Sequence, residues 1–145
     1  MRTAEFVTPK HPDKLCDRIS DTILDYCLER DPKSKVAIEV AGGKGKIFVT
    51  GEITSDVEDI PVKKIVKDIV GWDYEIIVNI SEQSSDISQG IGDDGAGDQG
   101  IMVGYACNEN DEYLPHEYYL ARDLEKYLFE IFPVDGKTQI TINDD

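Results

Sequence analysis

The sequence predicts an α+β fold, a mixed and largely antiparallel sheet with helices on one face, from three observations. Apolar residues at helical spacing recur in three separate stretches, β-rich runs lie between them, and Gly42-Gly43-Lys44-Gly45 joins two of those runs as a hairpin turn would.

The first helix is expected from Pro12 to about Arg30, with Leu15, Ile19, Ile23, Tyr26 and Cys27 on one face. Pro12 suits the first helical position, and Asp31-Pro32 stops the run. Strands are expected at Lys35 to Ala41 and Lys46 to Thr54. A second helix should run from near Pro61 to Gly71, with Ile65, Val66, Ile69 and Val70 inward, followed by a strand from Tyr74 to Ile80. From Ser81 to Gly100 the composition turns to Ser, Asp, Gln and Gly, which favours a loop leading into the apolar run Ile101 to Cys107. A third helix, roughly His116 to Phe132, and a strand, Thr138 to Ile142, close the chain. No internal repeat stands out.

At 145 residues the chain can bury a core without staples. Its 30 acidic against 15 basic residues leave a net charge of -15, which disfavours nucleic acid and anionic membranes as partners. No apolar run approaches the roughly 20 residues of a membrane span, and the N-terminus lacks the apolar region of a signal peptide. A cytoplasmic location is expected. Cys16, Cys27 and Cys107 form no CxxC pair and read as small core residues.

Three stretches look chemical. In Lys10-His11-Pro12-Asp13-Lys14 a histidine falls at the cap of the first helix and a carboxylate in its first turn. An ordinary capped helix explains both. A phosphate ester at a positive helix end, with the carboxylate on Mg²⁺, explains them as well. In GDDGAGDQG, Gly92 to Gly100, glycines allow close approach of a ligand to the main chain, and the pattern is neither a Walker A loop nor a dinucleotide fingerprint opening a helix. EQSSDISQG, Glu82 to Gly90, lies just past a strand end, where α/β sites collect ligands.

Read in order, these stretches resemble one family, methionine adenosyltransferase, also called S-adenosylmethionine synthetase. The likeness rests on HPDK followed by Asp17-Arg18-Ile19-Ser20-Asp21, VAIEV around Glu39, TGEIT around Glu52, QSSDISQG from Gln83, GAGDQGIMVGYACNE from Gly95 and DGKTQIT from Asp135. It implies that family's fold and a reaction in which methionine sulfur attacks the 5′ carbon of ATP, releasing triphosphate that is then cleaved to pyrophosphate and phosphate. It further implies that His11 contacts ATP and stabilises the leaving triphosphate, that Asp13 binds Mg²⁺, and that Glu39 belongs to a K⁺ site. By the same resemblance Glu52 and Gln83 hold methionine, Asp98 lies at the adenosine and methionine end, and Asp135 and Lys137 contact ATP, with His11 and Lys137 catalytic. Sulfur is already nucleophilic, so such a displacement needs alignment and charge neutralisation more than a strong base.

Two local departures from the family pattern stand out: Lys10 replaces a usual glycine, and only Ile91 to Asp94 joins QG to GAGDQG where the family has a mobile loop. The larger departure is length. The resemblance divides the chain into an N-terminal-like domain, residues 1–112, and the start of a central domain, residues 113–145, whose remainder another chain would supply. No Lys or Arg occurs from Asp68 to Ala121, so fixed cations for a triphosphate are scarce here. The expectation is one subunit of a hetero-oligomeric enzyme using ATP, methionine, Mg²⁺ and K⁺. The alternative is a non-catalytic regulatory subunit of a full-length synthetase. If the final strand belongs to a domain completed by another chain, its backbone groups are expected to be unpaired in the lone chain.

Overall fold

The computed structural model describes residues 1–82 and 100–143. The order of elements is β1 (Arg2–Val7), α1 (Pro12–Leu28), β2 (Lys35–Gly43), β3 (Lys46–Thr54), α2 (Val62–Val70), β4 (Glu75–Ser81), α3 (His116–Ile131) and β5 (Lys137–Ile142). They form two compact units that do not follow chain order, one of residues 1–14 with 101–145 and one of residues 15–100.

The larger unit is built on a three-stranded sheet in the order β2-β3-β4. The β2–β3 hairpin is antiparallel, and its two-residue link, Lys44-Gly45, has φ of 48° and 77°. Positive φ at both central positions is what a type I′ turn demands, and its twist matches that of the strands it joins. β4 pairs parallel to β3, with α2 as the crossover between them. One face of this sheet carries Val36, Ile38 and Val40 from β2, Ile47 and Val49 from β3, and Ile76, Val78 and Ile80 from β4. Ile19 and Ile23 of α1 and Val62, Ile65 and Val66 of α2 complete the core on that face. Period-2 strands and 3.6-period helices therefore meet as the sequence predicts, and the α+β class holds.

Gly51 lies within β3 at φ 137°, and a Cβ built there would overlap the carbonyl oxygen of Ala37 on β2. Only glycine admits so close an approach. Asp31 ties the end of α1 to the segment after β3. One carboxylate oxygen accepts from the Asp56 N–H at 3.0 Å and from the Ser34 and Ser55 hydroxyls, and the other accepts from the Lys33 N–H. These donors, chiefly the Asp56 and Lys33 amides, hold the carboxyl below its ordinary value.

In the smaller unit, β1 and β5 pair antiparallel over six positions, Arg2 with Ile142 through Val7 with Lys137, and α3 packs on both strands. β1 was not foreseen: RTAEFV has a weak alternation and no turn signal before it. Its presence corrects the expectation of an unpaired final strand, because β5 has a full set of partners along one edge. The apolar run from Ile101 forms no regular element, and Ile101, Met102 and Val103 are each about nine-tenths exposed among the described residues. Of the three free cysteines only Cys27 is fully buried, and burial pushes its thiol up.

Candidate active site

α1 begins where Pro12 removes an N–H that would have no helical acceptor. Before it, the His11 N–H donates to the Thr8 carbonyl at 3.0 Å, closing the turn, and the imidazole Nδ1 accepts the Asp13 N–H at 3.2 Å. His11 is thus a cap. The functional reading survives, because an Nδ1 used as an acceptor leaves the neutral ring's proton on Nε2, free to donate elsewhere. The Asp13 carboxylate also lies 3.5 Å from Nδ1, a contact that becomes attractive only when the ring is protonated. Its side chain is 78% exposed against 20% for His11, so the carboxylate faces outward at the positive end of the helix.

The Asp135-Gly136-Lys137 segment lies against this turn. The Thr8 N–H donates to the Gly136 carbonyl at 3.0 Å, and the Gly136 N–H donates to Thr8 Oγ1 at 3.1 Å. Lys137 opens β5 opposite Val7 and donates from Nζ to Glu5 Oε2 at 2.9 Å. That hydrogen bond raises the Lys137 ammonium above its ordinary value, with Glu5 charge and, more weakly, Asp13 adding to the effect. Lys137 therefore stays cationic. Lys10 reaches across to donate to the Pro133 carbonyl at 2.6 Å, so this lysine braces the two loops. The smaller unit thus sets the turn bearing His11 and Asp13 against the segment bearing Asp135 and Lys137.

Glu39 and Glu52 belong to the larger unit, where they share the sheet face opposite the core. Glu39 pairs with Thr50, and Glu52 stands two residues further along β3, diagonal to it. Diagonal neighbours lie roughly 7–8 Å apart, too far for one small ion to bind both tightly without rearrangement. Glu52 directly follows Gly51 along β3. Gln83, Asp98 and the short link Ile91 to Asp94 lie outside the described residues.

The donor set fits a magnesium ion carried by a phosphate ligand. Mg²⁺ commonly takes one or two protein carboxylates and fills its octahedron with water and phosphate oxygens, and the exposed Asp13 can supply one such oxygen. Among the described residues no group of three or more His, Cys, Asp or Glu side chains converges on one point. Glu39 is likewise a single exposed carboxylate.

Sequence reasoning missed Glu5, Thr8 and the bracing role of Lys10. Glu5 lies in the strand that was not foreseen, and the partners of Thr8 and Lys10 are more than 100 positions away.

Two family models cover the chain end to end: the N-terminal domain of S-adenosylmethionine synthetase over residues 1–93 and its central domain over residues 93–145. The chain belongs to the S-adenosylmethionine synthetase family. It is 40% identical over 176 residues to the S-adenosylmethionine synthase of Clostridium tetani, a match covering 97% of this chain and 44% of that protein. Against the synthase of Prochlorococcus marinus strain NATL1A the identity is 37%, covering 97% and 42% respectively. A solved structure described as an unusual S-adenosylmethionine synthetase from Campylobacter jejuni superposes with a TM-score of 0.80 at 34% identity, over 98% of this chain and 42% of that one. The chain therefore spans less than half the length of these synthetases. The 176-residue alignment also exceeds the 145 residues of this chain, so the Clostridium synthetase carries segments within the matched region that are absent here. Among the described residues no helix is long and apolar enough to cross a membrane.

Proposed function

We propose that this chain is one subunit of a hetero-oligomeric methionine adenosyltransferase, joining ATP and methionine into S-adenosylmethionine once another polypeptide supplies the remaining domains. The observation that carries this reading is the Thr8–Gly136 clasp, which joins the turn bearing His11 and Asp13 to the segment bearing Asp135 and Lys137, in a chain spanning 44% or less of the relatives named above. The chain contributes an N-terminal-like domain, residues 1–112, and the beginning of a central domain, residues 113–145. We place that junction just ahead of α3, whereas the family models meet at residue 93.

In this mechanism the Nε2–H of His11 and the ammonium of Lys137 face the triphosphate. Both act where negative charge grows as the carbon–oxygen bond breaks, which is where fixed donors lower a barrier. Asp13 would hold Mg²⁺, which screens the phosphates when bound, and Asp135 orients ATP beside Lys137. Glu52 and Gln83 hold methionine with Asp98 at the adenosine end, and Glu39 serves K⁺. Charge supports the need for a partner. From Asp68 to Ala121 the chain has no Lys or Arg, so additional cations for the departing triphosphate must come from elsewhere. The exposed run from Ile101 to Val103 offers an apolar surface for such a partner to cover.

The test is S-adenosylmethionine formation from ATP, methionine, Mg²⁺ and K⁺, with this chain alone and with a polypeptide carrying the remaining synthetase domains. Turnover only in the mixture supports the proposal. ATP binding without turnover in either sample would favour a regulatory subunit instead.

A further inference from the structure

One side of α3 is apolar and uncovered among the described residues. The buried positions of the helix are Glu117, Ala121 and Glu125, a row spaced by four, and the Thr138 hydroxyl of β5 donates to the Ala121 carbonyl at 2.6 Å. The longer apolar side chains lie elsewhere. Leu120, Leu124, Tyr127 and Ile131 follow one another at intervals of four, three and four, with Leu128 beside them. At 3.6 residues per turn they form a second stripe about a quarter-turn round the helix from the buried row. Each of these side chains is between 36% and 62% exposed. Arg122, Asp123, Lys126 and Glu130 hold the remaining side. An apolar stripe beside a face already packed belongs to a helix with a second neighbour, and alternating intervals of four and three are those of a seam against another helix. The larger unit of this chain has two such helices, α1 and α2, on one face of a three-stranded sheet. The smaller unit has one helix on two strands, a ribbon that is marginal by itself.

Resting on the heteromeric reading above, we propose that Leu120, Leu124, Tyr127, Leu128 and Ile131 form a docking seam for an amphipathic helix of the polypeptide that carries the remaining synthetase domains. Two observations select this occupant over a second copy of the chain. The central-domain match takes in α3, and the aligned regions leave more than half of each relative named above outside the match, so those proteins carry ample further chain to cover the stripe. A second copy would bring another net charge of -15 against this one, which repulsion opposes, whereas a polypeptide supplying the cations scarce here is complementary to it.

The test measures association of the whole chain with that polypeptide by sedimentation, for the unsubstituted chain, for Leu124→Gln combined with Ile131→Gln, and for Lys126→Gln on the charged side. Glutamine keeps the helix propensity while removing apolar surface. The double variant should bind more weakly by on the order of 30-fold, as loss of an interface anchor does, and Lys126→Gln should bind as the unsubstituted chain does. Equal binding by all three would overturn the seam and leave the heteromeric reading standing, whereas no complex with the unsubstituted chain would overturn both. Self-association of the lone chain that the double variant abolishes and the polypeptide does not displace would assign the stripe to a second copy, and the proposal would fall. Should the double variant fail to fold, hydroxyl-radical labelling of Leu124, Tyr127 and Ile131 in the unsubstituted chain decides. It should drop when the complex forms, and unchanged labelling would overturn the seam.

Discussion

Thr8 and Gly136, 128 positions apart, bind each other reciprocally: each donates its amide N–H to the other, Thr8 to the carbonyl and Gly136 to the hydroxyl oxygen. Thr8 is buried, so both bonds are shielded from water, and together they hold the turn carrying His11 against the segment carrying Lys137.

Thr8→Val keeps the volume and removes the acceptor, leaving the Gly136 N–H unsatisfied. A loss of about 1–2 kcal/mol is expected in denaturant unfolding, and Thr8→Ser should retain most of it. If Val and Ser behave alike, the hydroxyl is not what joins the segments.

Gly51→Ala should be among the most damaging single substitutions in the larger unit, costing more than about 3 kcal/mol. The new methyl would meet the Ala37 carbonyl at a φ that side chains rarely adopt. Near-normal thermal unfolding of the variant would refute the reading of this glycine.

Asp31 predicts a dependence on acid. Its folded-state value lies below the ordinary 3.8, so its contribution is full above that pH and is lost as pH falls through the lowered value. Asp31→Ala should therefore lower the melting temperature at neutral pH, and the gap from the unsubstituted chain should shrink as pH drops below about 3.8. A gap constant down to strongly acidic pH would mean that the carboxylate's charge plays no part.

In the assembled enzyme, His11→Ala should lower kcat on the order of 10²-fold, as loss of one oxyanion donor does. The KM for methionine should change far less, because the proposed contact strengthens only as charge leaves carbon. Steady-state kinetics on both substrates separate this from simple ATP binding, which would raise the KM for ATP and leave kcat near its starting value.

Much of the candidate site was legible because its residues sit in short segments whose local physics is visible in sequence. Pro12 after His11 announces a helix start, and Asp135-Gly136 announces a turn before β-prone residues. What could not be read was which segments meet. The Glu5 carboxylate that fixes Lys137 and the Pro133 carbonyl that receives Lys10 are 132 and 123 positions from those lysines. Neither pairing leaves a trace in local spacing.

The sequence by itself determined the α+β class, the apolar faces of α1 and α2, the Lys44-Gly45 hairpin and the family, since each rests on periodicity, turn chemistry or motif order within short windows. Only the tertiary structure decided that β5 closes on β1, that Thr8 clasps Gly136, and that Glu125 is buried. The physical reason is range. Burial and hydrogen bonding between the two ends of a chain depend on the whole fold closing around them, and no local window carries that information.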